Sequence, residues 1–101
     1  VSASANPRSV YGCIYRLYTA YSMYCPPTGD DECDRLMRYA LDDLLRRIEG
    51  GEGPWNAYDD VAKMVRYYAR RDCPDPKACI RAWEGMARTI RYCIKEYAQL
   101  V

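Results

Sequence analysis

The sequence predicts an all-α fold: a disulfide-stapled antiparallel four-helix bundle, with residues 1–101 forming one helical disulfide-rich domain. Three observations predict it. Apolar residues recur at helical spacing in four segments, at about 7–25, 31–49, 56–71 and 76–100, and none of these alternates at period two. Proline- and glycine-rich breakers separate the segments. Six cysteines stand where an up-down-up-down arrangement would bring them together.

The first segment opens at Asn6-Pro7, a capping side chain before a proline suited to the first helical position. Val10, Ile14, Leu17, Tyr21 and Tyr24 make one apolar face, which Tyr11, Tyr15 and Tyr18 widen along one edge. Between Val10 and Cys25 the only charge is Arg16, and a helix so apolar is either central or turned toward a partner. Cys25-Pro26-Pro27-Thr28-Gly29 ends it. The second segment sets Cys33, Leu36, Met37, Ala40, Leu41, Leu44 and Ile48 on one face. Opposite them, Asp34, Arg38, Asp42 and Arg46 alternate in sign at every fourth position, as a solvated face does.

Gly50-Gly51-Glu52-Gly53-Pro54 breaks the middle of the chain. The third segment then turns Ala57, Val61, Val65, Tyr68 and Ala69 inward and Asp59, Lys63, Arg66 and Arg70 outward. Asp75-Pro76 repeats the opening cap. In the last segment Cys79, Trp83, Met86, Ile90, Cys93 and Tyr97 form a stripe against Lys77, Arg81, Glu84, Arg88, Arg91 and Lys95.

The bundle turns the cysteines into a ruler. Cys25, Cys33, Cys73 and Cys79 flank two interhelical loops at one end. Cys13 lies roughly 18 Å before Cys25 along a helix, and Cys93 roughly 21 Å beyond Cys79. First and last helices are neighbours in such a bundle, so Cys13 and Cys93 are expected to pair. The upper four can pair in three ways. Local closure, Cys25–Cys33 with Cys73–Cys79, is favoured because short separations are easy to close.

Composition closes several classes of function. The chain has no histidine, which excludes Ser-His and Cys-His nucleophile pairs, histidine-metal sites and the His-Asp pair of a small secreted phospholipase. Cysteine knuckles for a metal are also missing, since Cys73 and Cys79 have five residues between them, and no metal or cofactor is expected. The carboxylate pairs Asp30-Asp31, Asp42-Asp43 and Asp59-Asp60 lie at helix starts or outward faces, and no phosphate-cradling glycine loop exists. No catalytic residue is assigned. Fifteen basic against fourteen acidic side chains argue against a nucleic-acid partner, and no apolar run reaches the ~20 residues of a membrane span.

Six cysteines in a short chain point to a secreted, extracellular protein, and a start at Val1 fits either a removed leader or a trimmed chain. No Asn-x-Ser/Thr sequon is present. The odorant-binding C-x₃-C signature is absent, and the elicitin and saposin cysteine spacings are not reproduced. The expected function is therefore non-enzymatic binding, as a toxin-, effector-, pheromone- or cytokine-like ligand. Tyr11, Tyr15 and Tyr18 with Arg16, Arg81, Arg88, Arg91 and Lys95 are the candidate contact residues, because tyrosine and arginine anchor binding surfaces. The partner would be an extracellular protein or receptor, acidic or sulfated, or a second copy meeting the first helix. Tyr58 before Asp59-Asp60 is a candidate sulfation context. The alternatives are a carrier holding a small hydrophobic ligand or lipid in the helical core, and membrane disruption through the first helix.

Overall fold

A computed structural model describes residues 9–24 and 31–98, with side chains from 9–20 and 31–98. Helices α1 (Val10–Tyr24), α2 (Asp31–Glu49), α3 (Pro54–Asp72) and α4 (Pro76–Tyr97) form a bundle with no strand among the described residues. Each helix packs on its two chain-order neighbours, and α1 closes the ring against α4. The seams α1/α2 and α3/α4 therefore lie on opposite sides.

Local chemistry explains the boundaries. Ser9 caps α1 through its hydroxyl oxygen, which accepts from Gly12 N–H at 2.9 Å. The Asn6-Pro7 cap lies outside the described residues. Helix α3 starts at Pro54, two residues before the expected 56, because a proline at the first helical position gives up an N–H that had no partner there. Asp75 caps α4 by accepting from Ala78 N–H at 3.1 Å. Between α2 and α3, Gly51 takes φ +97°, a left-handed conformation that glycine adopts without a Cβ clash. Gly51 N–H then donates to Ile48 C=O and Glu52 N–H to Arg47 C=O, which closes the last turn of α2.

The core is filled by the expected stripes with local changes. Ile14, Met37, Leu41, Leu44, Val61, Val65, Trp83, Ile90 and Ile94 are all fully buried. Leu45, Ala87 and Ile94 join the interior beyond the expected stripes, whereas Leu36, Ile48, Tyr68, Met86 and Tyr97 are only half-buried. Asp34, expected on the solvated face, is buried in the first turn of α2, where the positive end of the helix favours a carboxylate.

Cys13 and Cys93 form a disulfide with Cα atoms 5.6 Å apart, as their matching depth predicts. At the upper end the favoured local pairs do not form. Cys33 is bonded to Cys79, also at 5.6 Å, which joins α2 to α4 across the diagonal of the bundle. The reason is facing: Cys33 and Cys79 both stand on inward stripes, 1% exposed, and meet on the bundle axis. Cys73 is the buried C-cap of α3 and sits beside them, and the three sulfurs lie within 4.8 Å of one another. Cys25 lies outside the described residues.

Candidate functional site: a tyrosine edge and two polar seams

The candidate contact residues fall on two neighbouring helices, α1 and α4. Tyr11, Tyr15 and Tyr18 form a row along α1, with successive ring centroids 6.1 and 6.3 Å apart. Val10 and Ile14 below them are buried, Tyr11 and Tyr18 are half-buried, and Tyr15 is 50% exposed. The row leans toward α2: Tyr11 is hydrogen-bonded to Glu49, and burial together with the Glu49 charge raises its hydroxyl pKa above the usual tyrosine value. Arg16 is exposed on the outer face of α1. The side chains of Tyr21 and Tyr24 lie outside the described set.

The α4 cations stand elsewhere. Arg91 is half-buried: its Nη1 donates to the Tyr58 hydroxyl at 2.8 Å, and its guanidinium lies 6.0 Å from the Tyr58 ring centroid. Tyr58 is only 8% exposed, stacks on Trp83 at 6.3 Å and meets Trp55 edge-on at 6.1 Å. Its position in the packing, not the acids that follow it, decides its chemistry, and the expected sulfation context is not an accessible one. Arg81, Arg88 and Lys95 are exposed, at helical spacing from Glu84, which pairs with Arg66 of α3. The α1 tyrosines meet one another and Glu49 of α2, whereas Arg91 of α4 meets Tyr58 of α3. Arg16 is the one basic candidate that shares a helix with the tyrosines.

Two further features escaped the sequence reading. One is a ligature around Arg47, which reaches Asp43 at 2.9 Å, Glu52 at 3.3 Å and Asp60 at 3.4 Å and so ties α2, the glycine turn and α3 together. The other is an open groove of about 530 Å³ between α2 and α3, walled by Leu36, Tyr39, Met64 and Tyr68 with Arg35 and Arg71 at its rim. Arg71 sits 4.8 Å over the Tyr68 ring and pairs with Asp72 at 2.8 Å, which holds the Asp72 carboxyl below its ordinary range. Leu36 and Tyr68 were assigned to the core, and their partial exposure is what a stripe at the margin of two packed helices leaves behind.

Fold and surface together define a disulfide-stapled four-helix protein whose distinguishing chemistry is on its outside. No family model matches the sequence, and neither curated proteins nor solved structures include a significant match. Among the described residues no helix is long and apolar enough to cross a membrane.

Proposed function

We propose that the protein is a secreted, non-enzymatic binding protein, a ligand-like module that meets an extracellular protein partner through the tyrosine edge of α1. The observation that carries this reading is the aligned row Tyr11, Tyr15 and Tyr18, with half of Tyr15 left in water. Rings held by neighbours lose little freedom on binding, and tyrosine offers an apolar face with a polar tip. Two disulfides in a chain this short support the extracellular placement. Arg16 extends the surface, and a second copy of the chain is one candidate for the partner.

Labelled protein bound to intact cells, competed by unlabelled protein, tests the reading. Tyr15→Ala is expected to weaken competition about tenfold, the usual size of a lost aromatic anchor, with unchanged helical circular dichroism. Equal competition by Tyr15→Ala and wild type would reject the tyrosine edge. Sedimentation of the free protein distinguishes a second copy from another partner.

A carrier function is the second reading, supported by the groove between α2 and α3 rather than by space among the core helices. It calls for a hydrophobic ligand released by organic extraction of the purified protein, and for Met64→Trp to prevent that co-purification.

A further inference from the structure

Two contacts fix the register of α3 against α4. Arg66 Nη2 donates to Glu84 Oε1 at 3.1 Å, and Arg91 Nη1 donates to the Tyr58 hydroxyl at 2.8 Å. The helices run antiparallel. Arg70 therefore stands level with Arg81 on one side of the Arg66–Glu84 pair, and Lys63 stands level with Arg88 on the other.

The two helices carry matching rows. Lys63, Arg66 and Arg70 on α3 have the spacing i, i+3, i+7, and so do Arg81, Glu84 and Arg88 on α4. That spacing keeps each row on one helical face, and the central ion pair shows that both faces meet at the seam. Lys63, Arg70, Arg81 and Arg88 are exposed, and among the described residues none of the four is held in an ion pair. The corner positions lie about 10 Å apart along each helix, on helix axes about 8–10 Å apart across the seam. Lys63, Arg66, Arg70, Arg81 and Arg88 outnumber Glu84 and Asp59 on this face, in a chain that holds fifteen basic and fourteen acidic residues in total. The charge is concentrated. The helix dipole favours Arg70 in the last turn of α3, but it does not account for Arg81, which lies in the first half of α4.

We infer that this α3/α4 face is a docking site for a linear sulfated polysaccharide. An extended ligand with sulfates recurring along its length can reach all four corners at once. Three of the four corners are arginine, whose planar fork holds two oxygens of one sulfate. An anionic membrane fits less well, because Val61, Val65, Trp83 and Ile90 commit the apolar faces of both helices to the core. A single-stranded nucleic acid fits less well, because its bases stack on aromatic side chains and neither row contains one. The inference shares the extracellular setting of the proposed function but uses no tyrosine of α1, so either can fail alone.

The test is titration calorimetry of the full chain with a size-defined heparin oligosaccharide, repeated at several salt concentrations. N- and O-desulfated heparin, phosphatidylserine vesicles and single-stranded DNA serve as comparison probes. Heparin is expected to bind with an affinity that falls as salt rises. Arg81→Gln/Arg88→Gln and Lys63→Gln/Arg70→Gln should each weaken binding about tenfold or more and flatten the salt dependence. Arg35→Gln/Arg38→Gln on α2 removes the same charge and should change little. No heparin binding overturns the inference. So does an equal loss in the α2 variant, equal binding of desulfated heparin, or tighter binding of vesicles or DNA.

Discussion

Tyr11 shows how one side chain records its surroundings. Its hydroxyl is bonded to Glu49, and burial together with that carboxylate disfavours the phenolate. Its pKa is higher in the folded protein than in the unfolded chain. The corresponding stability is fully present below pH ~10, the unfolded tyrosine value, and is lost as pH rises from there through the folded value. In an ultraviolet pH titration Tyr11→Phe should remove a late-ionising tyrosine, and its unfolding midpoint should fall less than wild type's as pH rises above ~10. Identical alkaline profiles would contradict the Glu49 contact. Tyr58 teaches the complementary lesson. A tyrosine before two aspartates suggests an exposed motif, yet the helical face it occupies points inward to Trp83 and Arg91. Sequence neighbours report less on a helical residue than the positions three and four away. Trp83 Nε1 has no hydrogen-bond partner among the described residues, an orphaned donor that costs about 1–3 kcal/mol and is tolerated for the ring's burial.

At the scale of elements, the glycines of α4 and of the mid-chain turn make opposite predictions. Gly85 lies exposed inside α4, and a Cβ built there meets nothing within 4 Å. Gly85→Ala should therefore raise stability by about 0.5–1 kcal/mol, measured by chemical denaturation. Gly51, equally free of neighbours, has φ +97°, so Gly51→Ala should lower stability by about 1 kcal/mol. If both substitutions moved stability the same way, the geometry of the turn would be wrong. Helix boundaries were largely legible because prolines, capping side chains and glycines act locally. Pro54 moved the start of α3 and Ser9 supplied the cap of α1, and both signals stood in the sequence. What the sequence could not show was which half-buried stripe edges pack and which stay open. Leu36 and Tyr68 have the spacing of core residues, but the gap between α2 and α3 leaves them lining a groove.

For the whole molecule, depth along the bundle was a sound guide for one disulfide and uninformative for the other. Cys13 and Cys93 were alone at their level, so topology selected the pair. At the upper end several cysteines share one level, and ease of loop closure pointed to neighbours in sequence. Cys33 and Cys79 instead met because both face the axis. The α3/α4 cationic face was half legible for the same reason: each row can be read from one helix, but their register depends on cross-helix contacts. The disulfide separations of 80 and 46 residues set the expected stabilities. In the chain-entropy model, Cys13→Ala/Cys93→Ala should cost about 4–5 kcal/mol and Cys33→Ala/Cys79→Ala about 4 kcal/mol, measured by guanidinium unfolding. A negligible loss from the first pair would show that α1 is held by packing alone.

Both bonds also share an arrangement with respect to the turn at Gly50-Gly51-Glu52-Gly53. Cys13 and Cys33 precede it, whereas Cys79 and Cys93 follow it, and the turn's glycines are exposed. A protease cutting there would not release a fragment. It would produce a two-chain molecule, two nearly equal halves doubly fastened, that separates only on reduction. Maturation by cleavage at this turn is thus compatible with an intact bundle, as is insertion of foreign sequence between its two halves.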